Sequence, residues 1–192
     1  MNNSRKTYTL FAGVNGAGKT SIYDSIYYTD NKLEKRINTD EMVSSLGSWK
    51  DNNLQIKCAR QAIKLIKDYI NQGVSFNQET TLSGKSIIRN IKLAKASGYY
   101  VIMNYIGVDT VDIAKERVRL RVKKGGHGIQ DSDIERRYTD SLKNLVSVIN
   151  ICDEITIFDN TKFFKDVMYI KNGEITWMKE ELPIWLKNLS LK

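Results

Sequence analysis

Proline, cysteine and histidine are nearly absent: the 192 residues hold one proline, two cysteines and one histidine. Cys58 and Cys152 stand far apart with no metal-type spacing, and with His127 as the sole imidazole they exclude a zinc site of the usual Cys/His kind. Two distant thiols give no disulfide framework, so a reduced, cytoplasmic setting is the expectation. No apolar run approaches the ~18 residues of a membrane span, and the polar start MNNSRK leads into a strand pattern rather than a signal peptide. Internal repeats, linkers and low-complexity tracts are also missing, which makes residues 1–192 one expected domain.

What the chain has in excess is positive charge: 30 Lys and Arg against 22 Asp and Glu, a net +8. Such a balance points to anionic partners. The basic residues are spread along the chain without a nucleic-acid-binding pattern, which favours small phosphorylated molecules over nucleic acid. Lys57, Arg60, Lys64 and Lys67 share one helix face and read as a solvated stripe.

Strand patterns at 7–13, 35–38, 74–80, 99–107 and 154–160 alternate with helical ones. Leu54, Cys58, Ala62, Leu65 and Tyr69 repeat at helix spacing and stop before Gly73; Ile87, Ile91 and Ala94 stop before Gly98. This alternation predicts a mostly parallel central sheet with helices on both faces. VMYIKNGEITW reads as a hairpin turning at Asn172-Gly173, part of a C-terminal hairpin and tail over about 165–192. Four of the strand patterns end in polar, chemistry-bearing residues, and ligands of such sheets sit beyond the carboxyl ends of the strands.

The first strand runs into Gly13, Val14, Asn15, Gly16, Ala17, Gly18, Lys19 and Thr20, which fit G-x-x-x-x-G-K-[ST]. Glycines let backbone N–H groups converge on an anion, and the helix that follows adds its positive end. The pattern predicts an ATP phosphate cradle, with Lys19 at the outer phosphates and the Thr20 hydroxyl on a Mg2+ ion. The fourth strand, VIMNYIG, lacks the terminal aspartate of a motor-type ATPase, which favours a kinase.

Asp40 follows the second strand directly and reads either as a base for an attacking hydroxyl or as a first-turn acid behind a Thr39 N-cap. Glu79, followed by Thr80, reads as a hold on a substrate hydroxyl or on metal-bound water, or as an acid satisfied by backbone. From 116 to 138, Arg117, Arg121 and Lys124 share a helix face, glycines 125, 126 and 128 bracket His127, and a second helix carries Arg136 and Arg137. Two basic helices on a glycine hinge predict a helical lid that closes on phosphate. Arg136 and Asp140 also fit a plain i, i+4 pair. His127 reads as a substrate contact or as a hinge residue without chemistry.

Taken together, AGVNGAGKT, INTDE, SFNQETTLSG, KASGYYVIMNYIGVD, the stretch RVRLRVKKGGHGIQDSDIERRYTDSLKNL and FDN resemble the zeta-toxin family of P-loop kinases, in particular its short bacterial members. The resemblance implies a three-layer P-loop kinase fold and transfer of the ATP γ-phosphate to a hydroxyl, UDP-N-acetylglucosamine being the first candidate acceptor, with an antitoxin protein as partner. It implies Asp40 as the catalytic base, Lys19, Arg121 and Arg137 as further catalytic residues, and Glu79 as a hold on the acceptor. Asn160 matches a position near the adenine. The family usually has proline where this chain has Gln130, and the long C-terminal extension of the larger toxins is missing. The competing readings are a small-metabolite or nucleoside kinase, and a regulatory ATP-binding module that works through a protein or RNA partner.

Overall fold

The computed structural model describes residues 5–27 and 34–189. Its seven-stranded sheet has the order β2-β3-β1-β4-β5-β6-β7. The first five of these, β2 (Lys35–Asn38), β3 (Phe76–Thr80), β1 (Thr7–Ala12), β4 (Tyr100–Gly107) and β5 (Glu154–Asp159), are parallel. The last two, β6 (Lys165–Lys171) and β7 (Glu174–Met178), are added antiparallel. Asn172 and Gly173 join them with φ of 51° and 83°, the left-handed pair of the tightest hairpin turn.

Strand β1 shows why the sheet is covered on both sides. Tyr8, Leu10 and Ala12 belong to one buried cluster and Phe11 to another, so the alternation of the strand feeds two cores. The larger core holds α3 (Asn52–Gln72) and α4 (Lys85–Ala96) against the sheet; the smaller holds α5 (Val111–Lys123) through Ala114 and Val118. Helix α6 (Asp131–Val148) gives Ile134 to the smaller core and Leu145 and Val148 to the larger.

Local signals explain the helix ends. The Asp51 carboxylate caps α3 by accepting from the N–H groups of Asn53 and Leu54, and Gly73 ends the helix at φ 67°. The buried stripe of α3 is Cys58, Ala62, Ile66 and Ile70, while Leu65 and Tyr69 are only partly covered. Helix α2 (Thr39–Leu46) corrects one expectation: its cap is Asn38, whose Oδ1 accepts from the N–H groups of Asp40 and Glu41, and Thr39 is the first helical residue. Asn38 wins because it still belongs to the extended strand, the backbone geometry that a cap requires.

Helix α1 (Lys19–Ile22) continues as a π-helical turn over Tyr23–Tyr27. The C-terminal segment ends in α7 (Ile184–Lys187), where Trp185 is buried beside Tyr105 and donates from Nε1 to Asp159 Oδ1 at 3.0 Å. Among the described residues no helix is long and apolar enough to cross a membrane.

Candidate active site

All five parallel strands point their carboxyl ends at one edge, and the glycine-rich loop leaves β1 at the middle of it. Gly13 has φ 139°, and a Cβ there would lie 2.2 Å from the Ile106 carbonyl oxygen; at Gly16, φ 80°, it would lie 2.5 Å from that of Ala114. Only glycine lets the loop curl this tightly against β4 and α5. Gly18 closes the loop at φ 101°, and the Asn160 amide bridges to it by donating to the Ala17 carbonyl at 2.8 Å.

Lys19 is buried, with 7% of its surface exposed. Its ammonium donates to the Val14 carbonyl at 3.1 Å, across the mouth of the loop, and lies 4.0 Å from Glu79 Oε1. Burial lowers its pKa, against the pull of Glu79 and Asp40. With one hydrogen bond, to a neutral carbonyl, the ammonium keeps donors for an anion.

Glu79 is the hub of the edge. One oxygen or the other accepts from the Thr20 hydroxyl at 3.1–3.2 Å, from Arg36 Nη2 at 3.0 Å and from Asn38 Nδ2 at 3.0 Å. Arg36 Cζ lies over the Tyr23 ring, 3.5 Å from its centroid, and the guanidinium also pairs with Glu41 at 2.9 Å. The Thr20 hydroxyl and the Glu79 carboxylate together form an all-oxygen pair beside the loop, the donor set that suits Mg2+. Thr80 turns inward on the backbone: its Oγ1 accepts from the Leu82 N–H at 3.1 Å, and its carbonyl accepts from the Gly13 N–H.

Helices α5 and α6 pack against this edge through Ala114 and Arg137. Helix α5 ends in a tight turn, with Gly125 at φ 83° and the Gly126 N–H on the Arg121 carbonyl. A Cβ on Gly126 would lie 2.7 Å from Arg121 Cγ, so this glycine leaves the arginine its space. Arg137 on α6 donates to the Asn15 amide oxygen of the loop at 3.3 Å. Arg117 Nη2 donates to the Thr161 carbonyl, on the Asn160 side of the loop. Arg117 Nη1 and Arg121 Nε and Nη2 are buried without a hydrogen-bond partner among the described residues. Buried guanidinium nitrogens are rarely left so, and a phosphate group would satisfy them.

Arg136 follows the plainer alternative: it is more than half exposed and pairs with Asp133 at 2.6 Å and Asp140 at 3.8 Å, although it also borders the cavity. Gln130 begins α6 at φ −68°, the angle that a proline ring fixes, and its N–H makes no hydrogen bond among the described residues. Gln130→Pro is therefore expected to stabilise the protein by about 0.5–1 kcal/mol, through a less free unfolded chain. Denaturant melts of the two proteins check this, and a lower midpoint in the variant would contradict it.

A cavity of about 420 Å³ opens beside the loop. Lys19, Asp40, His127 and Arg137 line it, together with Ile66 of α3 and Asn90 of α4. The glycine turn of the lid lays the His127 ring 6.1 Å from that of Trp49, with Nε2 3.5 Å from Asp40 Oδ1. A Cβ on Gly128 would lie 2.5 Å from the Trp49 ring, so the turn rests directly on the α2–α3 connection.

Asp40, Lys19, Arg121, Arg137, Glu79 and His127 thus meet at one edge. Arg36, Asn38 and Trp49 were not anticipated. The first two carry a readable signal, since alternate residues of β2 side with each other and lead into INTDE. Trp49 carries none, because only the tertiary approach of the lid gives it a role.

A family model described as Zeta toxin matches residues 1–181. An uncharacterized protein of Haemophilus influenzae is 35% identical over 129 residues, which cover 67% of this chain and 90% of that one. Among solved structures, the AvrRxo1-ORF1:-ORF2 complex with ATP superposes with a TM-score of 0.71 at 16% identity, over 91% of this chain and 61% of that one. The toxin–antitoxin system PezAT of Streptococcus pneumoniae superposes with a TM-score of 0.64 at 18% identity, over 88% of this chain and 72% of that one. The chain therefore spans less than two thirds of the AvrRxo1 chain that it resembles. The glycine loop and the match over residues 1–181 agree: the chain belongs to the zeta toxin family.

Proposed function

We propose that the protein is an ATP-dependent kinase that moves the γ-phosphate to a hydroxyl of a small acceptor, first candidate UDP-N-acetylglucosamine, and that it acts in the cytoplasm as the toxin of a toxin–antitoxin pair. One observation carries the reading: Lys19 of the glycine loop, Asp40 of α2 and Arg137 of α6 line one cavity of about 420 Å³. Membership of the zeta toxin family, a structural neighbour solved with ATP and another described as a toxin–antitoxin system support it. Two buried free cysteines suit a reducing compartment.

In this reading the loop N–H groups and Lys19 seat the β- and γ-phosphates, and Arg121 and Arg137 oppose the charge that builds on the transferred group. Thr20 and Glu79 would hold Mg2+, which when bound supplies further neutralisation of phosphate charge. Asp40 is the carboxylate through which the acceptor loses its proton. Closure of the lid keeps water from competing with the acceptor.

Incubation with ATP and a panel of UDP-sugars, nucleosides and hydroxylated metabolites, followed by mass spectrometry, tests the proposal. A phosphorylated product is expected. Fast ATP hydrolysis that no acceptor stimulates would defeat it and favour the ATP-binding module. Asp40→Asn is expected to keep ATP affinity within a few-fold and to cut turnover by roughly 10²-fold or more. Comparable single-turnover rates in variant and wild type would remove Asp40 from the chemistry.

A further inference from the structure

Asn38 makes more contacts than a helix cap needs. It ends β2 in register with Glu79 of β3 and is 7% exposed. Its Oδ1 accepts from the backbone N–H groups of Asp40 at 3.0 Å and Glu41 at 3.4 Å. Its Nδ2 donates to Glu79 Oε2 at 3.0 Å and to Glu41 Oε1 at 2.9 Å. A side-chain amide has two donors and an oxygen with two lone pairs, so the whole of its capacity is used in this one corner. Capping alone requires only the oxygen, which serine or aspartate would supply as well. The two N–H groups turned to carboxylates are therefore left for another task.

That task concerns Asp40. Its side chain is 39% exposed and accepts no hydrogen bond among the described residues. Its place is set through its backbone, whose N–H rests on the Asn38 oxygen. The nitrogen of the same amide holds Glu79. Arg36 binds the same two carboxylates and offsets their charge, but it leaves the N–H groups of the turn to Asn38. With Oε2 held by Asn38 and Arg36, Glu79 Oε1 is left beside Lys19, 4.0 Å away.

We propose that Asn38 is a positioning residue, which sets Asp40 and Glu79 at a fixed separation by joining the first turn of α2 to the end of β3. The inference rests on the kinase reading above and deepens it. In that reading one carboxylate takes the acceptor's proton while the other holds Mg2+, and both must address the same γ-phosphate. A planar amide that binds both sides at once fixes that relation before any ligand arrives.

Two variants separate the cap from the positioning. Asn38→Ser keeps a capping oxygen and loses both donors, whereas Asn38→Ala loses everything. Melting midpoints should therefore fall in the order wild type, serine, alanine. Activity should not follow that order. Both variants should lose roughly 10- to 100-fold in kcat/KM for transfer, the range seen when a partner of a metal-binding carboxylate is removed. A second arm needs no acceptor: calorimetry of ATP binding to the full-length proteins, with Mg2+ and in EDTA. In Asn38→Ser the affinity in EDTA should match wild type, and the affinity with Mg2+ should fall by roughly tenfold or more. A serine variant within about threefold of the wild-type rate would reduce Asn38 to a helix cap and overturn the proposal. An unchanged gain in ATP affinity from Mg2+ in that variant would do the same. If the wild-type protein phosphorylates nothing in the acceptor panel, the kinase reading fails, whereas the calorimetry still decides whether Asn38 holds Glu79 in place.

Discussion

Alanine at Arg121 or Arg137 is expected to slow phosphoryl transfer by roughly 10³-fold or more, the range seen when an arginine that stabilises transferring phosphate is removed. The two side chains are prepared differently for that task. Arg137 spends one nitrogen on the loop residue Asn15, which ties α6 to the cradle. Arg121 holds two buried nitrogens with no partner among the described residues, and its stem packs where a Cβ on Gly126 would stand. Burying such a cation unpaired is costly, so Arg121→Ala should not lower the melting midpoint even as the rate collapses. Lysine should rescue little at either position, because a single ammonium cannot span phosphate oxygens as the guanidinium fork does. Single-turnover rates and thermal melts of the four variants make the comparison. An Arg121→Ala rate within tenfold of wild type would take this side chain out of the transition state.

Much of this edge is legible in the residues themselves, because short-range rules write it. The glycine loop follows from glycines at 13, 16 and 18 before Lys-Thr, and helices α5 and α6 follow from basic residues at helix spacing around Gly-Gly-His-Gly. The hairpin at Asn172-Gly173 follows from the positive φ that both residues tolerate. Relations between elements are less visible. That Asn38, not Thr39, caps α2 depends on where β2 stops, a boundary that apolar spacing leaves open by a residue or two. The partners of Glu79 come from β2 and from the loop after β1, which only the order β2-β3-β1 brings beside it. The approach of His127 to Asp40 joins residues 87 positions apart, through a turn between α5 and α6 whose placement no local pattern encodes.

Lys19→Ala should abolish tight binding of ATP·Mg2+ and leave the fold intact. Lys19 is not the exposed side chain that its charge alone would lead one to expect: it is buried, and burial works against its ammonium. Among the described residues its one hydrogen bond goes to the Val14 carbonyl at 3.1 Å, which leaves the buried cation little compensated by the loop itself. Glu79, 4.0 Å away, does not depend on it, since Arg36 and Asn38 each donate to the same carboxylate at 3.0 Å. Truncation therefore removes a desolvated charge without orphaning an acid, and the melting midpoint should hold or rise. Binding is affected in the opposite sense. Each charge-assisted hydrogen bond from the ammonium to phosphate is worth about 1.5–3 kcal/mol, so losing two of them weakens ATP by roughly 10²- to 10⁴-fold. Lys19→Met, which keeps the length and apolar stem, should lose the same affinity and so separate charge from packing. Calorimetry with ATP·Mg2+ on both variants, beside thermal melts, measures the two effects independently. Unchanged affinity in folded Lys19→Ala would remove the phosphate cradle from this protein, and with it the kinase reading.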